Sequence, residues 1–66
     1  MRLTVNGETH DHQGDATLVS LLRQLGADGD RVATTLNDEI IRKEDRSLTK
    51  LSGGDRVEVL VFAGGG

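Results

Sequence analysis

Leu18, Leu21, Leu22 and Leu25 recur at spacings of three and four, while the other apolar stretches of the chain alternate with polar residues or run together in short groups. That spacing gives one apolar stripe on a helix of roughly two and a half turns. Asp15 or Thr17 is placed to cap its first free amides, and Gly26 to end it in a left-handed conformation. A single amphipathic helix has to bury its stripe against something, and here only strands are on offer.

The strand signals lie on both sides of it. In MRLTVN, Leu3 and Val5 point one way and Arg2, Thr4 and Asn6 the other. Asn6-Gly7 supplies a two-residue turn, because both positions tolerate positive φ. A second strand is expected over residues 8 to 13. Its sequence ETHDHQ is almost wholly polar, which suits a solvated edge. VATTLN at 32 to 37 and EII at 39 to 41 flank Asn37-Asp38 as a second hairpin. Residues 42 to 50 mix both charges around Leu48 and read as a connector with a short helical turn, and SGGD at 52 to 55 as a turn. RVEVLVF then sets Val57, Val59 and Val61 on one face and Glu58, Leu60 and Phe62 on the other. A strand apolar on both faces belongs near the middle of a sheet. The fold class is therefore α+β: a sheet of four to five strands covered on one face by one helix, in a single domain over residues 1–62 with a flexible glycine tail at 63–66.

Composition limits what such a fold does. A chain of 66 residues buries about 60% of its unfolded surface and has no room for a large active-site cavity. With 35% hydrophobic and 29% charged residues it reads as a soluble globular chain, and no apolar run approaches the roughly 20 residues that span a bilayer. A cytoplasmic protein without membrane partners is expected. The absence of cysteine excludes disulfides, a thiolate nucleophile and cysteine-based zinc sites. A net charge of -3 and a lone aromatic, Phe62, argue against a nucleic-acid partner.

Few side chains suggest chemistry. Ser20, Ser47 and Ser52 have no recognisable triad around them. His10 and His12 share a strand face but lack a third ligand, so they read as solvated edge residues and no metal site is expected. Asp28 and Asp30 flank a glycine without the other ligands of a calcium loop and read as loop solvation. Arg42, Lys43, Arg46 and Lys50 are interspersed with Glu44 and Asp45, the pattern of a solvated connector. Leu60 and Phe62 leave two readings open: an exposed patch that docks a partner, or core residues of a second face.

The tail is different. Gly64, Gly65 and Gly66 bury no side chains, and ordering each backbone costs on the order of 1 to 2 kcal/mol. A tail this narrow suits a slot in another protein, with backbone hydrogen bonds formed there. The terminal carboxyl, with a reference pKa of about 3.3 to 3.7, is an anion at neutral pH and must be activated before a nucleophile can attack it. Neither G-x-x-x-x-G-K-[ST] nor G-x-G-x-x-G occurs, so ATP-dependent activation would fall to a partner enzyme.

The segments LTVNG at 3 to 7, TLVSLL at 17 to 22, LNDEIIRKED at 36 to 45 and GDRVEVL at 54 to 60, followed by the glycine terminus, resemble the ThiS family of ubiquitin-like β-grasp sulfur carriers. The resemblance implies a mixed β-grasp sheet and a carrier that is a substrate of other enzymes, not a catalyst. It implies that Gly66 is adenylylated by an E1-like adenylyltransferase using ATP and converted to a thiocarboxylate. The sulfur, taken from a donor protein, then passes to a thiazole synthase for thiamine. Gly65 and Gly64 would be read by the partners' tail slots; the family pattern needs only a glycine pair, which leaves the part of Gly64 open. The chain itself is expected to bind no cofactor. Carriers for molybdopterin or cysteine synthesis share the fold and glycine end, and the short length and LNDEII favour thiamine over them. A non-covalent β-grasp adaptor and a modifier that conjugates to amines are the remaining alternatives.

Overall fold

The computed structural model describes residues 1–62, in the order β1 (Arg2–Val5), β2 (Glu8–Asp11), α1 (Leu18–Gln24), β3 (Val32–Leu36), β4 (Glu39–Ile41), a 3-10 helix η1 (Lys43–Leu48) and β5 (Arg56–Val61). The strands form one five-stranded sheet in the order β2-β1-β5-β3-β4. β1 and β5 run parallel at its centre, and the other neighbours are antiparallel. This is the mixed sheet on one helix expected of a β-grasp, with the two-faced apolar strand in the middle and the polar strand β2 at an edge.

Both hairpins close through left-handed turn residues. Asn6 (φ 50) and Gly7 (φ 81) join β1 to β2, and Asn37 (φ 49) and Asp38 (φ 72) join β3 to β4. Positive φ at both central positions is the geometry whose twist matches that of the strands. β2 is shorter than expected, ending at Asp11, because the chain then bends through Gly14 (φ 100) to reach the helix.

α1 is also slightly short, at seven residues. Thr17 is its cap, its Oγ1 accepting from the Ser20 N–H at 3.3 Å. At the other end the Gly26 N–H donates to Arg23 O at 3.1 Å and the Ala27 N–H to Leu22 O at 2.8 Å, with Gly26 at φ 70. Those paired bonds satisfy carbonyls that the helix would otherwise leave open. The Leu18 N–H donates to Thr49 O and the Leu51 N–H to Ala16 O, both at 2.9 Å, tying the start of the helix to the connector.

Leu18, Leu21 and Leu22 are completely buried against Leu3, Leu51 and Val57. Burial of each such side chain contributes roughly 1.5 to 3 kcal/mol. Leu25, the fourth member of the expected stripe, is 39% exposed because it lies at the helix cap, past the end of the sheet contact. Val61 departs likewise: it shares the parity of Val57 and Val59 but stands beyond the core and is exposed.

Three polar expectations are corrected. His12 is buried, not solvated, because His10 pairs with core-facing Leu3 and His12 follows on the same parity. Its backbone N–H donates to Met1 O at 2.7 Å, and its ring Nε2 donates to Asp15 O at 2.7 Å. Arg46 is buried rather than part of a solvated connector. Its guanidinium reaches Asp28 Oδ1 at 3.1 Å, Gly29 O at 3.2 Å and Val32 O at 2.7 Å, fastening η1 to the loop after α1. Asp28 is thus an ion-pair partner and not loop solvation, taking Arg23 Nε at 3.4 Å as well, while Asp30 pairs with Lys43 Nζ. The Lys43 hydrogen bond and charge hold the Asp30 carboxyl below its ordinary range.

Candidate functional site

The glycines at 64, 65 and 66 lie outside the described residues, as does the whole of the expected tail at 63–66. What the structure describes is the strand that leads to them and the face beside it. β5 carries that strand through the centre of the sheet, with Arg56 and Val57 beside Thr4 and Val5 on one flank and residues 57 to 61 beside β3 on the other. Its alternation divides the residues cleanly. Val57 and Val59 turn toward the helix, and Glu58 and Leu60 turn outward.

Leu60 is 60% exposed and Phe62 52% exposed. Exposure on this scale removes the reading of these two as core residues of a second face. Among the described residues no element covers the outward side of the sheet, since α1 and η1 are their only helical segments and α1 packs on the opposite side.

Ile40 joins them, and the sequence pattern had not singled it out. It lies opposite Thr35 in the second hairpin, and Thr35 lies opposite Glu58 in the next pair, so Ile40 takes the outward parity of Glu58 and Leu60. It is 81% exposed. The clue was present in the two-residue turn at Asn37-Asp38, which fixes the register and so the parity of every later residue in β4.

Ala33, Thr35, Ile40, Glu58, Leu60 and Asn6 line a shallow depression of about 430 Å³ on this face. Its floor is apolar. Polar groups stand at its margin: the Thr35 hydroxyl donates to Glu58 Oε1 at 3.1 Å, and Arg56 pairs with Asp38 at 2.6 Å nearby. An apolar surface rimmed by charge is the usual form of a protein-docking site.

Asn6 holds the far side of β5. Its Oδ1 accepts from the Val59 N–H at 2.7 Å and its Nδ2 donates to Val59 O at 3.2 Å, so one carboxamide serves both backbone groups of a residue that β1 is too short to reach. Asn37 does the equivalent at the other end of the strand, its Oδ1 accepting from the Arg56 N–H at 2.9 Å and its Nδ2 donating to Asp55 Oδ1 at 3.1 Å. Both asparagines were legible as turn residues, but not as clamps on the central strand.

No group of three or more histidines or carboxylates among the described residues is arranged to hold a metal ion. Among them, too, no helix is long and apolar enough to cross a membrane.

Compared with known proteins, the chain matches the ThiS family over residues 3–66. It belongs to that family. A crystal structure of the thiamine biosynthesis protein ThiS from Geobacter metallireducens is similar with a TM-score of 0.81 and 38% identity, covering 100% of both chains. The solution structure of a thiamine biosynthesis protein from the same organism gives a TM-score of 0.78 and 37% identity, over 100% of this chain and 88% of the other. The ThiS fold, a ubiquitin-like β-grasp, is therefore the fold of this chain. Two curated relatives are named thiazole synthase: one from Paramagnetospirillum magneticum, 36% identical over 66 residues, and one from Magnetococcus marinus, 33% identical over the same length. The match takes in 100% of this chain but 20% of each of those proteins, so the chain spans about a fifth of their length.

Proposed function

We propose that this chain is a cytoplasmic sulfur carrier of thiamine biosynthesis, a substrate of partner enzymes and not an enzyme itself. The observation that carries the reading is a ThiS match that runs through Gly66, the residue whose carbonyl would be activated. Proteins with a similar segment that are themselves named thiazole synthase support the same pathway.

The chemistry is brief. The Gly66 carboxylate attacks the α-phosphorus of ATP in the pocket of an E1-like adenylyltransferase, releasing pyrophosphate and leaving an acyl-adenylate. A sulfide equivalent from a donor protein then adds at the carbonyl; the carbon–sulfur bond forms, the carbon–oxygen bond to AMP breaks, and a thiocarboxylate remains. That sulfur is the nucleophile delivered to the thiazole synthase. Gly64 and Gly65 let the tail enter a slot too narrow for side chains, and Leu60 and Phe62, with Ile40, form the patch on which the partner seats the folded body. ATP is bound by the activating partner.

Intact-mass measurement of the chain after incubation with ATP, a sulfide donor and its cognate adenylyltransferase tests this. The expected product has one terminal oxygen replaced by sulfur, and a chain lacking Gly66 should show no such change while melting at the same temperature. An unchanged mass in the complete reaction would refute the carrier role, and covalent attachment to another polypeptide would replace it with that of a modifier.

A further inference from the structure

An asparagine followed by glycine is prone to spontaneous deamidation, because glycine has no side chain to keep its amide nitrogen away from the asparagine carboxamide. The chain has two asparagines, and only Asn6 precedes a glycine. Asn37 precedes Asp38, whose β-carbon and negative charge obstruct the same attack. Asn6 and Gly7 are both exposed, so water reaches the pair. A β-carbon at Gly7 would meet no other atom within 4 Å, and the Gly7 N–H takes no hydrogen bond among the described residues. The nucleophile is therefore unshielded.

The electrophile is held instead. Asn6 Oδ1 accepts from the Val59 N–H at 2.7 Å and Nδ2 donates to Val59 O at 3.2 Å, so β5 grips the carboxamide at both of its polar atoms. Attack by Gly7 N turns the planar Cγ into a tetrahedral centre and swings the side chain back onto its own main chain. Two bonds in the plane of the carboxamide oppose both movements. The bond from Nδ2 also occupies the nitrogen that has to gain a proton and leave.

We propose that Asn6 is a latent site of hydrolytic self-modification, kept closed by its pairing with Val59. When the pair opens, Gly7 N bonds to Asn6 Cγ, the Cγ–Nδ2 bond breaks, and ammonia departs carrying, through solvent, the proton that Gly7 N gave up. Water then adds across either carbonyl of the cyclic imide. One opening gives aspartate, and the other gives its isomer, in which the main chain runs through the β-carbon. No oxidant or reductant is needed, and the net change is NH2 replaced by OH. Neither product restores the pairing. A carboxylate, ionised at neutral pH, has no N–H to offer Val59 O. The isomer also lengthens a two-residue turn whose geometry sets the register of β1 with β2. The site is independent of the carrier reading.

Ageing the full-length, 15N-labelled chain at mildly alkaline pH, folded and in denaturant, tests the proposal. Tandem mass spectrometry locates the exchange of NH2 for OH, and hydrogen exchange at the Val59 amide reports how often the pair opens. In denaturant Asn6 should react well before Asn37. In the folded chain Asn6 should slow by at least the factor that protects the Val59 amide, roughly tenfold or more for two hydrogen bonds of ordinary strength. A chemically synthesised chain with an ester in place of the Val59 amide lacks that N–H alone, and when folded it should deamidate about tenfold faster than the parent. The Asn6→Asp variant should melt below the parent. Equal or faster reaction in the folded parent would overturn the proposal and make the Val59 N–H a donor to the developing oxyanion. Reaction at Asn37 ahead of Asn6 would overturn it too. An unchanged rate in the folded ester chain would assign the protection to the turn instead of the pairing, and an Asn6→Asp chain that melts with the parent would remove the consequence drawn for β5.

Discussion

Arg46 and Arg42 stand in the same charged run, yet one is buried and the other exposed. Nothing local distinguishes them, because the partners of Arg46 lie 14 to 18 residues away in sequence, at Asp28, Gly29 and Val32. Replacing it leaves those acceptors facing a void, so Arg46→Ala should lower stability by about 3 kcal/mol in chemical denaturation. Arg46→Lys should restore only part of that, since one ammonium cannot reproduce the planar fork of a guanidinium. Lys43 presents the opposite case, an ion pair with both partners in solvent. Its hydrogen bond and charge lower the Asp30 carboxyl's midpoint. The pair therefore favours the folded state above the ordinary aspartate value and loses its effect as pH falls through the lowered midpoint. Lys43→Ala should raise the Asp30 midpoint toward the ordinary value in a carboxyl NMR titration, with little change in melting, because solvent screens exposed pairs. His12 was as hard to read as Arg46: its burial follows from pairing with β1, which the polar sequence ETHDHQ does not announce.

Elements with local signals were the legible ones. The helix is announced by its leucine spacing, by Thr17 before it and by Gly26 after it, and the hairpins by Asn6-Gly7 and Asn37-Asp38. The inner place of β5 followed from apolar residues on both its faces. Where an element stops against its neighbours was not legible, because that depends on how far each strand reaches; hence the exposure of Leu25 and Val61 and the early end of β2. Gly26 supplies the sharpest test of the helix terminus. A β-carbon there meets no other atom within 4 Å, so the cost of Gly26→Ala is that of forcing alanine into φ 70. We expect about 1 kcal/mol, read as a shift in the denaturation midpoint without loss of cooperativity. The cap at the other end should be worth a similar amount, so that Thr17→Ala costs about 1 kcal/mol.

At the scale of the whole molecule, one side of the sheet is packed against the helix and the other is left open among the described residues. The apolar residues of that open side have little to lose in the free protein. A Leu60→Ser, Phe62→Ser double variant should therefore melt within a degree or two of the parent and, on the proposed carrier function, bind an E1-like adenylyltransferase at least about tenfold more weakly by calorimetry. The sequence supplied two of the three exposed apolar residues of this surface; Ile40 needed the register of β3 with β4 and β5, a property of the assembled sheet. The parallel course of β1 and β5 has a practical corollary. From the level at which Thr4 lies beside Arg56, Met1 is set back along one strand and Phe62 forward along the other, a separation of roughly 30 Å at the usual strand rise. A dye, a bead or a sensor surface attached at residue 1 would thus sit at the opposite end of the sheet from Phe62, clear of the face proposed to meet a partner enzyme.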